Sequence, residues 1–181
     1  MAIRAARRED IPRILEIYGP YVTGTTCSFE YEVPAMEAFT QRFLDITAQF
    51  PWLVWEEAGE VLGYAYGSLP FARAAYQWSA EASIYLSPEA KGRGIGRKLY
   101  AALEELLRQQ GYRKVYAIIT EENEDSRKFH QAVGYRLVAT MPGCGYKFGR
   151  WQGIVWMEKM LNDWDTPPNP PLPASELQAT P

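Results

Sequence analysis

Residues 84–111 read I-Y-L-S-P-E-A-K-G-R-G-I-G-R-K-L-Y-A-A-L-E-E-L-L-R-Q-Q-G, and the fold follows from this run. Ile84, Tyr85 and Leu86 end a short apolar strand, which Ser87-Pro88 breaks. A loop with glycines at alternate positions, Gly92, Gly94 and Gly96, comes next. Ile95, Leu99, Ala102, Leu103 and Leu106 then recur at helical spacing, and Gly111 is the expected stop. Strand, glycine loop, helix is the layout of an anion cradle. Glycine lets backbone approach a ligand closely, and the free N–H groups at a helix start favour a negative group. Lys91, Arg93, Arg97 and Lys98 flank the loop, a local excess of cations in a chain of net charge -3. A phosphate-bearing ligand is therefore expected. Two common phosphate motifs are excluded by spacing. There is no G-x-x-x-x-G-K-[ST], and the glycines fall as G-x-G-x-G rather than G-x-G-x-x-G.

Length and composition narrow the rest. A chain of 181 residues with 47% hydrophobic content supports one domain, with room for an appendage. No apolar run approaches the roughly 20 residues that span a bilayer, and the N-terminus M-A-I-R-A-A-R-R-E-D is too polar for a signal peptide. One histidine and two cysteines, Cys27 and Cys144, argue against a zinc-type metal site and a disulfide framework. The slightly acidic balance argues against nucleic acid. The expectation is a cytoplasmic protein with no membrane, metal or nucleic-acid partner.

In chain order, a short strand spans Ile3 to Ala6, and a helix runs from Asp10 with Ile11, Ile14, Leu15 and Tyr18 on one face, ending at Gly19-Pro20. Tyr21 to Val33 is a hydroxyl-rich loop, and a second helix follows Pro34. Trp52–Glu56 and Val61–Tyr66 read as a hairpin, Leu69–Gln77 as a loop, and Trp78–Leu86 as a strand entering the glycine loop. Val115–Ile119 is an apolar strand, and Asn123–Val133 holds a short helix. Two last strands, Tyr135–Met141 and Trp151–Leu161, flank the excursion G-C-G-Y-K-F-G-R. This order predicts an α/β fold, a mixed and mostly antiparallel central sheet flanked by helices. Residues 1–161 form the domain. Residues 162–181, which hold six of the 13 prolines, form a proline-rich tail, extended or disordered.

The loop Lys91-Gly92-Arg93-Gly94-Ile95-Gly96 resembles the [Q/R]-x-x-G-x-[G/A] signature of the GCN5-related N-acetyltransferases, GNAT, in which it grips the pyrophosphate of acetyl-coenzyme A. Lys91 departs from the usual Gln or Arg, at a position where backbone amides do most of the gripping. Acetyl transfer to an amine needs a base for the ammonium proton, a donor for the developing oxyanion and a proton or hydrogen bond for the departing thiolate. Glu81 is the candidate base, a carboxylate in the strand W-S-A-E-A-S-I-Y-L; its alternative is a glutamate on a solvent face. His130 is the candidate at the leaving-group end, with a core-edge histidine as alternative. A backbone N–H near Leu86 is the simplest oxyanion donor.

Four separated blocks extend the likeness. Tyr76 to Pro88, Pro51 to Val54, His130 to Tyr135 and Tyr146 to Trp151 are similar to segments of phosphinothricin acetyltransferases, and the resemblance covers about Ile3 to Leu161. It implies the GNAT fold, acetyl-CoA as donor, a homodimer, and acetylation of the α-amino group of a small acceptor such as phosphinothricin, methionine sulfoximine or methionine sulfone. Glu81 and His130 match the family's proposed catalytic pair. Ile84, Tyr85, Leu86, Lys91, Gly92, Arg93, Gly94, Ile95, Gly96, Asn123 and Ser126 are the implied cofactor contacts. Arg73 and Phe29 are implied on the acceptor side, and Lys147 with Trp151 lines the pocket or a dimer contact. Cys27 reads as packing. The acidic F-E-Y-E around Phe29 argues against doubly anionic acceptors. Acceptors of other kinds, a polyamine, an aminoglycoside or a protein N-terminus, stay open, as does a non-catalytic acyl-CoA sensor.

Overall fold

The computed structural model describes residues 1–164 and 167–177. Seven strands form one sheet in the order β1-β2-β3-β4-β5-β7-β6. They are β1 (Ala2–Ala5), β2 (Trp52–Glu57), β3 (Glu60–Ser68), β4 (Ser79–Leu86), β5 (Lys114–Thr120), β6 (Arg136–Lys147) and β7 (Arg150–Met160). Every neighbouring pair is antiparallel except β4 with β5. The helices are α1 (Ile11–Gly24), α2 (Met36–Thr47), α3 (Ile95–Gln110) and α4 (Glu124–Ala132).

Strand alternation sends side chains to two cores. On one face Ile95, Leu99, Leu103 and Leu107 of α3 pack on Leu53, Trp55, Leu62, Ala80, Ala82, Val115 and Ala117. On the other, Ile11, Ile14, Tyr18 and Val22 of α1 and Phe39 and Phe43 of α2 cover Trp52, Val54 and Tyr64. Trp52 stacks on Tyr66 with centroids 4.1 Å apart. The sequence periodicity is thus realised as an α/β sandwich with α3 and the α1–α2 pair on opposite faces.

Two boundaries differ from expectation. Helix α1 does not stop at Gly19-Pro20 but continues to Gly24 with Pro20 inside it. The missing Pro20 N–H costs one helical bond. Continuing the helix buries Val22 completely and carries Tyr21 to the end of β4, where its hydroxyl donates to the Leu86 carbonyl at 2.7 Å. The glycine-rich excursion is likewise mostly strand. Gly145, Tyr146 and Lys147 pair with Gln152, Trp151 and Arg150, with a register shift between Met141 and Gly145 absorbing the extra residues.

Where it is described, the proline-rich segment runs against the domain and includes a 3-10 turn at Ala174–Glu176. The Trp78 indole donates to the Asn169 carbonyl at 2.7 Å. Leu172 N donates to Gln110 O at 2.8 Å, and Gln110 Nε2 returns a bond to Leu172 O at 2.7 Å. Ala174 N reaches Gln49 O at 3.0 Å. Of the expected tail, residues 165, 166 and 178–181 lie outside the described residues.

Candidate active site

The site is opened by a parting of strands. Strands β4 and β5 are in register only at Ser79–Lys114, Ala80–Val115 and Glu81–Tyr116. Beyond Glu81, β4 runs on to Leu86 paired only with β3, and β5 runs on to Thr120 paired with β7. A cavity of about 600 Å³ fills the gap, walled by Ala82–Leu86, Ala117–Thr120, the glycine loop and α4. Two adjacent strands without mutual hydrogen bonds leave main-chain groups available to a ligand.

The glycine loop closes one end. Gly92 and Gly94 hold φ of 73° and 76°, the left-handed region that a side chain disfavours. A Cβ on either would meet nothing within 4 Å, so their requirement is conformational. Gly96 differs, because a Cβ there would lie 3.3 Å from Ile84 and 3.4 Å from Phe129. It lets α3 pack closely on β4 and α4. Gly94 occupies the α3 N-cap, and no side chain caps the helix. The first-turn N–H groups are therefore free for an anion, as a pyrophosphate cradle requires. Lys91 and Arg97 line the cavity. Arg93 does not line it; its guanidinium pairs with Glu57 at 2.7 Å, outside the cradle.

Asn123 and Ser126 both line the cavity, at the start of α4. The Asn123 carbonyl oxygen caps the helix by accepting from Ser126 N at 3.1 Å, and its amide donates to Cys27 Sγ at 3.1 Å. Cys27 is itself a cavity wall rather than packing. At the strand end, Leu86 N donates to the Tyr21 hydroxyl at 3.4 Å. That amide is thus engaged and is not the free oxyanion donor expected there. The β5-facing edge of β4 before it is the better place for one.

His130 is 3% exposed at the inner wall of the cavity. Its Nδ1 lies 2.7 Å from the Ser126 carbonyl, which only accepts, so Nδ1 carries a proton. Its Nε2 lies 2.9 Å from the Tyr100 hydroxyl, which is also 3.1 Å from the Ala82 carbonyl. In the neutral imidazole Tyr100 donates to Nε2. In the imidazolium Nε2–H donates to Tyr100, and the phenol proton is free to point toward Ala82 and the cavity. Burial holds the His130 pKa below its ordinary value, with the Ser126 carbonyl opposing. Burial pushes Tyr100 well up, so a lasting tyrosinate is disfavoured and any proton leaving Tyr100 must be replaced from His130. Tyr100 was missed in the sequence because a tyrosine on the buried face of an amphipathic helix reads as packing; only the α3–α4 crossing puts it against His130.

Glu81 lies on the opposite face of β4 from Ala80 and Ala82, beside Ser68 of β3 and Tyr116 of β5. It forms no ion pair or hydrogen bond among the described residues, and burial raises its pKa from 4.5 to about 7. The candidate base and the Tyr100–His130 pair therefore stand on opposite faces of one strand, at the point where the sheet opens.

The acceptor-side residues are scattered. Arg73 is exposed in the β3–β4 loop, and its guanidinium makes no ion pair or hydrogen bond among the described residues. Phe29, 40% exposed, lies against β6, where a Cβ on Gly145 would fall 2.3 Å from its ring. The neighbouring Glu30 is bonded to Arg42 and to the Tyr18 hydroxyl, the latter at 2.8 Å. Burial pushes the Glu30 pKa up, but those two donors outweigh it and hold it below the ordinary value. Of the two carboxylates expected to repel anionic acceptors, Arg42 thus neutralises Glu30, while Glu32 is exposed. Lys147 does not face a substrate. It is 2% exposed, and its Nζ donates to the carbonyls of Val22, Thr25 and Ser28 at 2.6, 2.9 and 2.6 Å. An ammonium has three protons, and all are used in tying the α1–α2 loop to β6. Trp151, 69% exposed, packs on Tyr146 away from the cavity.

A family model described as an acetyltransferase (GNAT) domain matches residues 3–156. The phosphinothricin N-acetyltransferase of Alcaligenes faecalis is 37% identical over 91% of this chain and 84% of its own length. The L-methionine sulfoximine/L-methionine sulfone acetyltransferase of Pseudomonas aeruginosa is 37% identical over 89% of this chain and 95% of its own. Among solved structures, a GNAT superfamily phosphinothricin acetyltransferase from Sinorhizobium meliloti in complex with AcCoA superposes with a TM-score of 0.88, at 33% identity and covering 96% and 97% of the two chains.

Proposed function

The chain belongs to the GNAT acetyltransferase family and is an N-acetyltransferase, and we propose that it uses acetyl-CoA to acetylate the α-amino group of a small amino-acid-like acceptor of the phosphinothricin or methionine sulfoximine type. The observation that carries this reading is the placement of Glu81, a half-buried carboxylate at the point where β4 and β5 part, with the cavity and the Tyr100–His130 pair across the strand. The residues present fit the donor. Free N–H groups at the start of α3 suit a pyrophosphate, and the unpaired edge of β4 suits the amides of a pantetheine arm. Acetyl-CoA supplies an activated acetyl group and a thiolate leaving group.

Glu81 takes the proton of the acceptor ammonium, releasing the amine for direct attack. Tyr100, whose hydroxyl lines the cavity, would donate to the departing thiolate. His130 would return a proton to Tyr100 through Nε2, a step that draws on the imidazolium which burial disfavours at rest, so no tyrosinate persists. Arg73, exposed in the β3–β4 loop with no ion pair among the described residues, is assigned to the acceptor carboxylate. The apolar face left exposed on β6 and its hairpin by Leu137, Val138, Met141 and Trp151 supports a homodimer.

A thiol-release assay with acetyl-CoA tests the reading. The panel holds phosphinothricin, methionine sulfoximine, methionine sulfone, ordinary amino acids, a polyamine, an aminoglycoside and a peptide. Selective turnover of the glutamate- or methionine-like acceptors is expected. Turnover only of the polyamine, aminoglycoside or peptide would overturn the acceptor class.

A further inference from the structure

Behind the Tyr100–His130 pair lies a part-buried ion pair that the transfer mechanism does not use. Glu104 sits one helical turn after Tyr100 on α3 and is 5% exposed. Its Oε2 meets Lys159 Nζ of β7 at 2.6 Å, and the same ammonium donates to the Val133 carbonyl at 2.8 Å. Val133 is the C-cap of α4, where last-turn carbonyls lack helical partners and the helix dipole favours a cation. One ammonium therefore ties α3 to the C-terminal end of the helix that carries His130.

Tyr135 fills the space between the ion pair and the imidazole. Its ring centroid lies 5.1 Å from that of His130 and 6.0 Å from that of Tyr100, and Lys159 Nζ stands 5.9 Å from its centroid. Gly134, at φ 97°, makes the turn; a Cβ there would lie 3.4 Å from Lys159 Cε, so the lysine stem is seated against the backbone. Burying the Glu104 carboxylate beside a partly exposed ammonium stabilises a fold little better than an apolar pair of similar volume. Stability alone does not account for Glu104 and Lys159 at this place.

We propose that the Glu104–Lys159 ion pair is a positioning device for the transfer reaction, clamping the His130 helix to the Tyr100 helix and balancing charge behind that hydrogen-bonded pair. The inference rests on the reading that Tyr100 and His130 serve the leaving group. The titratable and charged groups that bear on them are Glu104 on α3, Tyr135 after α4, Lys159 on β7, and Glu81 of β4 and Tyr66 of β3.

The chain has a single histidine, so the imidazole proton resonances report His130 without ambiguity. Lys159→Met leaves the Glu104 carboxylate unbalanced and favours the imidazolium, and Glu104→Gln leaves the ammonium and disfavours it. The titration midpoint is expected to rise in the first variant and fall in the second, each by about half a pH unit or more. Opposite shifts are a signature that loss of packing does not produce. In Lys159→Met, kcat falls about tenfold while the KM for acetyl-CoA stays within about twofold, because catalytic groups and not the cradle are displaced.

If either single variant loses its thermal transition, Glu104→Leu/Lys159→Leu carries the test with no charge left unpaired. Its midpoint should match the parent, and its kcat should stay about tenfold low because Val133 has lost its tether. Parental titration and parental kcat in folded variants overturn the proposal. Tyr100→Phe separates the two failures. Full kcat in Tyr100→Phe removes the underlying reading, whereas a slow Tyr100→Phe beside a fast Lys159→Met removes this inference alone.

Discussion

Replacing Glu81 by Gln keeps the shape of the side chain and removes its basicity. The magnitude follows from the environment. An α-amino group titrates near pKa ~8. A carboxylate at its ordinary 4.5 would sit about 3.5 units below the proton it must take, whereas Glu81 at about 7 sits about one unit below. Burial therefore raises the deprotonated fraction of the bound amine by a factor on the order of 300. The ionised carboxylate is the working form, so activity is lost on acidification. With a pKa of about 7, kcat/KM falls roughly tenfold per unit as pH drops below that value. Thiol release measured from pH 5.5 to 9 reads this directly. Glu81→Gln should lower kcat by about 10²–10⁴-fold and abolish the limb near 7, with acetyl-CoA affinity unchanged. A parent profile flat through pH 7, or a variant that retains the same limb, would refute Glu81 as the base.

Further outcomes follow from the same geometry. The raised pKa means the folded protein disfavours ionised Glu81. That cost is fully present above about 7 and disappears as pH falls toward 4.5, so Glu81→Gln should melt higher than the parent at pH 8 and match it below pH 4.5. Equal melting temperatures at pH 8 would contradict the burial. Tyr100→Phe keeps the ring contacts and removes the hydroxyl, and should lower kcat about tenfold or more with a small change in the KM for acetyl-CoA; steady-state kinetics decide this. Gly94→Ala places a side chain in the left-handed region at a cost of about 1–2 kcal/mol, and should raise the acetyl-CoA KM with kcat much less affected. Lys147→Met strands three carbonyls of the α1–α2 loop and should destabilise the fold by about 1–3 kcal/mol in denaturant titration. No loss there would mean that the loop is held by other contacts.

The sequence by itself determined the glycine cradle, the helix behind it and the order of elements. These rest on local physics: positive φ at Gly92 and Gly94, periodicity along α3, and alternation along the strands. Glu81 could be picked out because a carboxylate among small and apolar strand residues is locally odd. Other features depended on contacts that no local pattern encodes. Helix α1 runs through Pro20 because Val22 and Tyr21 find partners far along the chain. The resemblance implies that Lys147 lines the pocket or a dimer contact, yet three carbonyls about 120 residues earlier consume its protons. Tyr100 and His130 are 30 residues apart and meet only because α3 and α4 cross beside β4. Periodicity identifies which face of an element is buried. Which two buried polar groups share a hydrogen bond is set by how the elements pack, and the tertiary structure alone decides that.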